Sequence, residues 1–316
     1  MSVPGVALRT AGGESLAEDA GTIMVVGATG TVGSEVVHQL QEAGARPLAL
    51  IRAGHRGPSA IHGQVDQVTA DLDRPETVDA ALLGVDRLFL LTRQTSRQLV
   101  QERAVIAAAA RAGVGRVVKL SIFRADERSP LQIARQHAQA EQMLQESGLL
   151  HTVLRPVFFM QNLLTMVRGD VIATAVRDGR VAMIDARDIA AAAVAALISI
   201  PAEGRIHTLT GPEPLSFDRV ADVLGRRMGR SIRHIRVPVE AVRERFHSSG
   251  AEPWFADDMA ALHAMLADGY EDLVTSDVAA LTGVPPTPLD RFAEDARDRL
   301  APGPAPGLVQ SRQSGC

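Results

Sequence analysis

Along this chain the spacing of apolar positions switches between two periods. A short β-branched run, "TIMVVG" (22–27), reads as a buried strand, and "TVGSEVVHQLQEAG" (31–44) follows with helical spacing up to a stop at Gly44. The cycle then repeats. "RPLALIR" (46–52) and "QVTADL" (67–72) read as strands, followed by a helix from Pro75 to Leu83. "DRLFLLT" (86–92) leads into the helix "RQLVQERAVIAAAARAG" (97–113), "GRVVKLS" (115–121) into a helix over 130–147, and "HTVLRP" (151–156) closes the series. Strands that alternate with helices imply a parallel sheet covered on both faces, the doubly wound α/β architecture. "ARDIAAAAVAAL" (186–197) and "RIHTLT" (205–210) would continue it.

Beyond that point the rhythm changes. "SFDRVADVLGRRMG" (216–229), "VEAVRERF" (239–246), "EPWFADDMAALHAML" (252–266) and "PLDRFAEDARDRL" (288–300) have helical spacing with no long strand between them. The expected organisation is an α/β domain over 21–155 continued by 184–210, with a smaller, mostly helical cap from 156–183 and 211–300 over the sheet's carboxyl edge. Residues 1–20 are small and polar and 301–316 are rich in Pro and Gly, so both ends are expected to be unstructured tails.

Composition narrows the function classes. With 316 residues and 46% hydrophobic content the chain can bury a full core. A net charge of −4 gives no basic field for nucleic acid or an anionic membrane. No apolar run reaches the length of a bilayer span, and the N-terminus lacks a basic region followed by an apolar stretch, so neither a membrane anchor nor a signal peptide is expected. The single cysteine, Cys316, ends the chain, which points to a cytoplasmic location. His207, His234 and His247 lack partners at metal-site spacing, so no metal is expected, and without a G-x-S-x-G elbow a hydrolase has no starting point.

The chemistry begins at "GATGTVG" (27–33), between the first strand and first helix. Gly27 permits the tight turn, Gly30 lets backbone approach a diphosphate, and Gly33 lets the helix pack on the strand, with Thr29, Thr31 and Val32 completing the loop. The helix N-terminus supplies N–H donors and a partial positive charge. At the end of the second strand a cofactor with a free ribose 2′-hydroxyl favours an acidic residue. This chain has Arg52, with His55 and Arg56 just beyond, which suits a 2′-phosphate; NADP(H) is therefore expected over NAD(H). Asp71 can accept from an adenine amino group and Leu72 can pack on the ring, and Leu91 and Thr92 end the fourth strand beside the loop.

These pieces, with "AARAGVGRVVKLS", "AEQMLQESGLLHTVLRPVFFMQNLL", "DARDIAAAAVAAL" and "LTGPEPLSFDRVADVLGRRMG" in order, resemble the atypical short-chain dehydrogenase/reductases of the NmrA-like and quinone-oxidoreductase branch, over roughly 21–300. The resemblance implies a Rossmann dinucleotide-binding domain with a substrate-binding C-terminal region. It places the superfamily serine on Ser121 and the ribose-binding lysine slot on His137, and makes both catalytic candidates. The tyrosine slot falls on Ile133, so the usual acid is missing; the only tyrosine, Tyr270, falls in the cap. His137 is then either a ribose contact, with or without a proton-passing role, or a packed core histidine. By the same resemblance Pro156, Val157 and Phe158 line the nicotinamide, while Phe159 and Asn162 lie nearer the substrate; the alternative for Phe158, Phe159 and Met160 is core packing at helical spacing. Trp254 and Phe255 either wall an apolar pocket or anchor the cap, and Asp188 of "DARDIA" caps a helix. The implied activity is NADPH-dependent reduction of a quinone or an aromatic or polyketide-like carbonyl. The alternatives are a non-catalytic NADP(H) sensor of NmrA type and a non-redox cyclisation or dehydration on the same fold. Nothing in the sequence indicates an oligomeric state.

Overall fold

The computed structural model describes residues 20–52, 65–198 and 204–300; the expected tails over 1–19 and 301–316, and His55 and Arg56, lie outside them. Six strands and four helices alternate first: β1 (Ile23–Val26), α1 (Thr31–Glu42), β2 (Pro47–Ile51), β3 (Asp66–Thr69), α2 (Pro75–Ala81), β4 (Arg87–Leu90), α3 (Gln98–Ala112), β5 (Arg116–Leu120), α4 (Gln132–Glu146) and β6 (His151–Pro156). A 3-10 turn (Met160–Asn162) and α5 (Leu163–Met166) follow, then three short strands, β7 (Val167–Arg168), β8 (Val171–Thr174) and β9 (Arg180–Val181). The chain returns through α6 (Ala186–Ile198) and β10 (Arg205–Leu209) to the main sheet. It continues with β11 (Leu215–Ser216), α7 (Phe217–Met228), β12 (Arg233–Arg236), α8 (Val239–Ser248), α9 (Pro253–Ala267), α10 (Asp277–Thr282), α11 (Leu289–Asp295) and α12 (Arg297–Leu300).

Seven parallel strands form one sheet in the order β10-β6-β5-β4-β1-β2-β3. The chain runs outward from β1 to β3, then crosses to β4 and runs outward on the other side. Strand order therefore reverses between β1 and β4, where a doubly wound sheet opens a crevice at its carboxyl edge. All four residues of β1 are buried, as a central strand covered on both faces requires. One face packs Val36 and Leu40 of α1 and Ile189 and Ala193 of α6 against Val25, Phe89 and Val118. The other packs Val78, Val105 and Leu144 of α2, α3 and α4 against Met24, Leu88 and Val117. The alanine-rich α6 is explained by this packing: Ala190, Ala192, Ala193, Ala195 and Ala196 are all buried.

The 156–183 and 211–300 region is mostly helical, as expected, and adds short strands that were not. It holds a three-stranded sheet, β12-β8-β7, and a two-stranded one, β11-β9, and its core gathers around Phe217, Leu224 and Phe292. Three of these strands, β7, β9 and β11, are only two residues long, too short to show a period of two. The helix expected over 288–300 breaks at Ala296, α10 appears where none was expected, and β3 ends at Thr69 rather than Leu72. No helix among the described residues is long and apolar enough to cross a membrane.

A buried carboxylate couples helix α9 to helix α4 of the sheet layer. Helix α4 starts at Leu131 without a side-chain cap of its own. The buried carboxylate of Asp258, on α9, accepts from Gln132 N at 3.0 Å and Ile133 N at 2.7 Å. A residue more than a hundred positions away thus satisfies the first free donors of α4.

Candidate active site at the carboxyl edge of the sheet

The glycine loop leaves β1 at the reversal point. Gly27 has φ +80°, and a Cβ there would strike the Leu91 carbonyl of the neighbouring β4 loop. A Cβ on Gly33 would strike the Gly27 carbonyl, so α1 can lie close to β1 only with glycine at that position. Gly30 differs. A Cβ there would meet only the Gly27 oxygen, at 3.3 Å, a tight contact that a shift of a few tenths of an ångström relieves, so the fold crowds it far less than the other two. Gly30 is also the N-cap of α1 and offers no side chain to accept the first-turn N–H groups. An uncapped helix start with room above it is what a diphosphate requires, so the residues present fit a dinucleotide. Val32 is buried, so only its backbone can reach a ligand; Thr29 is half-buried and Thr31 exposed.

Arg52 follows β2 with its side chain 62% exposed, 4.0 Å from Asp71 and 3.8 Å from Asp73. Both separations exceed hydrogen-bond length, so the guanidinium is loosely held and free to turn to a phosphate. Asp71 lies on the turn after β3, where its Oδ1 accepts from Asp73 N at 3.1 Å, and Leu72 packs against the α2–α3 side of the core. Leu91 is half-buried against the opposite core.

At the other end of the crevice the two catalytic candidates are both enclosed by the fold. Ser121 is buried and its hydroxyl donates to Glu141 of α4, which also receives Arg155 Nε at 3.0 Å. The Ser121 proton is therefore engaged inside the fold, and donation from it to a substrate carbonyl is not part of this geometry. His137 is buried, with Nε2 3.1 Å from Gln98 Nε2 and, among the described residues, no partner for Nδ1. Burial first, then the charges of Lys119 and Arg155, hold its pKa well below the usual histidine value. A proton donor active near neutrality would have to be the imidazolium, which this site disfavours. What remains for His137 is one N–H of a neutral ring. The tyrosine slot is closed too, since Ile133 is buried with Leu131 and Ala134.

The segment after β6 is held by main-chain bonds: Phe123 N to Pro156 O, Val157 N to Leu209 O, and Phe158 N to the Glu271 carboxyl at 2.9 Å. The Val157 side chain is core, Phe158 meets Phe217 edge-on at 6.2 Å, and Phe159 packs on the α1–α6 side; a nicotinamide contact from Val157 is thus limited to its backbone. Asn162 is exposed at the end of the 3-10 turn. Trp254 and Phe255, at the start of α9, pack with Ile122 beside buried Ile133, an apolar wall next to the tyrosine slot. Trp254 Nε1 bonds Glu252, whose other oxygen accepts from Ser96 N at 3.1 Å, tying this wall to the loop after β4.

Two placements correct the sequence reading. Tyr270 is not remote from the sheet edge: its ring meets Phe123 at 5.5 Å, and the Arg124 guanidinium lies 5.0 and 4.9 Å from the two ring centres. Asp188 does not take the cap of α6. Asp185, just before the helix, accepts from Arg187 N at 2.9 Å, whereas Asp188 accepts from Thr287 N at 2.7 Å and its hydroxyl at 2.8 Å.

The residues that sequence reasoning missed are Gln98, Glu102, Lys119, Glu141, Arg155, Asp258 and Glu271. Lys119 carried a signal: the chain's only lysine interrupts the apolar run "RVVKL". Gln98 and Glu102 carried a weaker one, four positions apart on one helix face. Glu271 carried none. Its carboxyl is buried, and burial pushes its pKa up to about 7 against the opposing effects of the Phe158 N–H and Arg124. With its pKa raised from 4.5, the folded protein favours the protonated form, so stability is fully present below about pH 4.5 and declines as pH rises toward 7. The full difference is about 3 kcal/mol. In Glu271→Gln that component of the pH dependence should vanish. Urea unfolding of both proteins at pH 5 and pH 8 checks it; parallel losses in wild type and variant would contradict the assignment.

The NmrA-like family pattern matches residues 19–272. The NAD(P)H azoreductase of Xenophilus azovorans is 37% identical over 282 residues, covering 86% of this chain and 96% of that protein. The (4-alkanoyl-5-oxo-2,5-dihydrofuran-3-yl)methyl phosphate reductase of Streptomyces griseus is 33% identical over 285 residues, covering 89% and 99%. Among solved structures, the NADPH-dependent quinone oxidoreductase of Escherichia coli complexed with NADPH superposes with a TM-score of 0.76 at 26% identity, over 86% of this chain and 99% of that one. With a matched span of this length and relatives of this similarity, the chain belongs to the NmrA-like family.

Proposed function

We propose that the chain is an NADPH-dependent oxidoreductase that reduces a small aromatic acceptor, a quinone or a related conjugated group. The observation that carries this reading is the uncapped start of α1 at Gly30, at the point where strand order reverses, with Arg52 at the end of the adjacent strand. The loop over Gly27–Gly33 would hold the diphosphate, Arg52 the 2′-phosphate, Leu72 the adenine, and Thr92, His137 and the 156–158 backbone the nicotinamide end. The bound cofactor supplies the hydride. Relatives named as an azoreductase and a quinone oxidoreductase support a redox activity with such acceptors.

The site's own proton chemistry supports the acceptor class. Ile133 fills the tyrosine slot, the Ser121 proton is engaged by Glu141, and His137 is neutral. An electron-poor quinone takes hydride without a strong acid beside it, and the resulting anion is protonated from solvent. An ordinary ketone needs a donor at the forming alkoxide. The lack of a free acid at these three superfamily positions also favours the second reading, a regulator of NmrA type that binds the dinucleotide without turnover.

Arg52 tests the cofactor assignment. Its head is largely exposed, so its bond to a 2′-phosphate belongs at the low end for charged hydrogen bonds, about 1.5 kcal/mol or roughly tenfold in affinity. Wild type should bind NADPH more tightly than NADH by that factor, and Arg52→Ala should bind the two alike. Equal affinities in wild type would remove Arg52 from the site.

A further inference from the structure

Between β5, α3 and α4 runs a chain of buried hydrogen bonds, of which the proposed function uses Thr92 and His137 and leaves Gln98, Glu102 and Lys119 without a role. Lys119 Nζ donates to Glu102 Oε2 at 2.7 Å, and Thr92 Oγ1 donates to Glu102 Oε1 at 3.0 Å. Gln98 Nε2 lies 3.4 Å from that same oxygen and 3.1 Å from His137 Nε2. All five side chains are buried. Among the described residues, His137 Nδ1 and Gln98 Oε1 have no partner.

The donor and acceptor count admits one arrangement. A carboxylate flanked by the Lys119 ammonium only accepts, so Gln98 must turn its NH2 toward Glu102. That NH2 also faces His137 Nε2, which must then be the accepting nitrogen. In a neutral imidazole the proton is left on the other nitrogen. Turning the Gln98 amide over would set its carbonyl oxygen against the Glu102 carboxylate with no proton between them, a repulsion that buried surroundings strengthen.

We propose that Glu102, held by Lys119, fixes the Gln98 amide and through it holds His137 in the Nδ1–H tautomer, so that Glu102 and Gln98 are positioning residues for that N–H. The arrangement leaves His137 with a single donor, on the nitrogen that has no partner within the described chain. That this donor meets the nicotinamide ribose rests on the cofactor reading above; the tautomer itself does not.

Long-range proton–nitrogen correlation of histidine-labelled full-length protein, without cofactor, reads the tautomer directly. Wild type should show His137 as Nδ1–H and unchanged between pH 6 and 8. The swap Gln98→Glu/Glu102→Gln keeps one carboxylate in the network, places an acceptor opposite Nε2 and should move the proton to Nε2. Glu102→Gln alone would leave Lys119 buried without its partner, so the ion pair is removed as a whole in Glu102→Gln/Lys119→Met. That freed amide should give mixed tautomers. An Nε2–H signal in wild type, or a pure Nδ1–H signal in the ion-pair variant, overturns the proposal. NADPH titration of that swap variant separates the two readings: moving the donor should weaken binding about two- to tenfold, the scale of one hydrogen bond. A switched tautomer with unchanged NADPH affinity would uphold the tautomer device and remove His137 from the cofactor site.

Discussion

A Gly30→Val variant should fold and bind no NADPH, whereas Gly33→Val should not fold to the native state. The two glycines are three residues apart in one loop, and the difference follows from what each faces. At Gly33 an added carbon would strike the Gly27 carbonyl, and neither β1 nor α1 can retreat without opening the packing of Val25 and Val36. Overpacking of a core costs about 1–3 kcal/mol where side chains can adjust, and the obstacle here is backbone, so the loss should lie at or beyond the upper end. At Gly30 the nearest atom is 3.3 Å away, and valine's branches would point into the space that the first-turn N–H groups of α1 face. Thermal unfolding separates the fold effect and calorimetry with NADPH the binding effect. Unchanged NADPH binding by a folded Gly30→Val protein would show that the loop is a plain turn.

Lys119→Met should cost about 3–5 kcal/mol of stability, because it leaves the Glu102 carboxylate buried without its counter-ion. Both partners are almost wholly inaccessible, at 0% and 1% exposure, so no solvent screening softens the loss. Glu102→Gln/Lys119→Met should recover a large part of it, since replacing both charges of a buried pair removes the desolvation penalty along with the attraction. Urea unfolding of the three proteins is the measurement. A loss below about 1 kcal/mol in the single variant, the range of exposed pairs, would mean that water reaches the pair.

How far the sequence revealed this molecule depended on how local each signal was. Strands β1 to β6 and β10, and helices α1 to α4 and α6, were readable because each presents its own run or period and each is long enough to show it. The small strands of the cap were not, since pairs such as Val167–Arg168 have no period at all. The glycine loop was fully legible because its constraint is local backbone geometry. His137 could be placed on the right helix, and resemblance put it in the lysine slot. Its protonation state could not, because that depends on Gln98, Lys119 and Arg155, which reach it from three other elements. Tyr270 and Glu271 were unreadable for the same reason. They reach the sheet edge only through the fold of the cap, which sets Tyr270 on Phe123 and the Glu271 carboxyl under the Phe158 N–H. Asp258, capping a helix in another part of the chain, likewise looked like any surface acid.

The central claim is that this site passes hydride from NADPH to an aromatic acceptor without a placed proton donor. Multiple-turnover loss of the NADPH absorbance, with a panel of quinones, azo compounds and simple ketones, tests it directly. The account predicts catalytic turnover with quinone or azo acceptors and none above background with simple ketones, with Gly30→Val inactive throughout. Tight NADPH binding without turnover on any acceptor would contradict it and leave the non-catalytic regulator as the function of this fold.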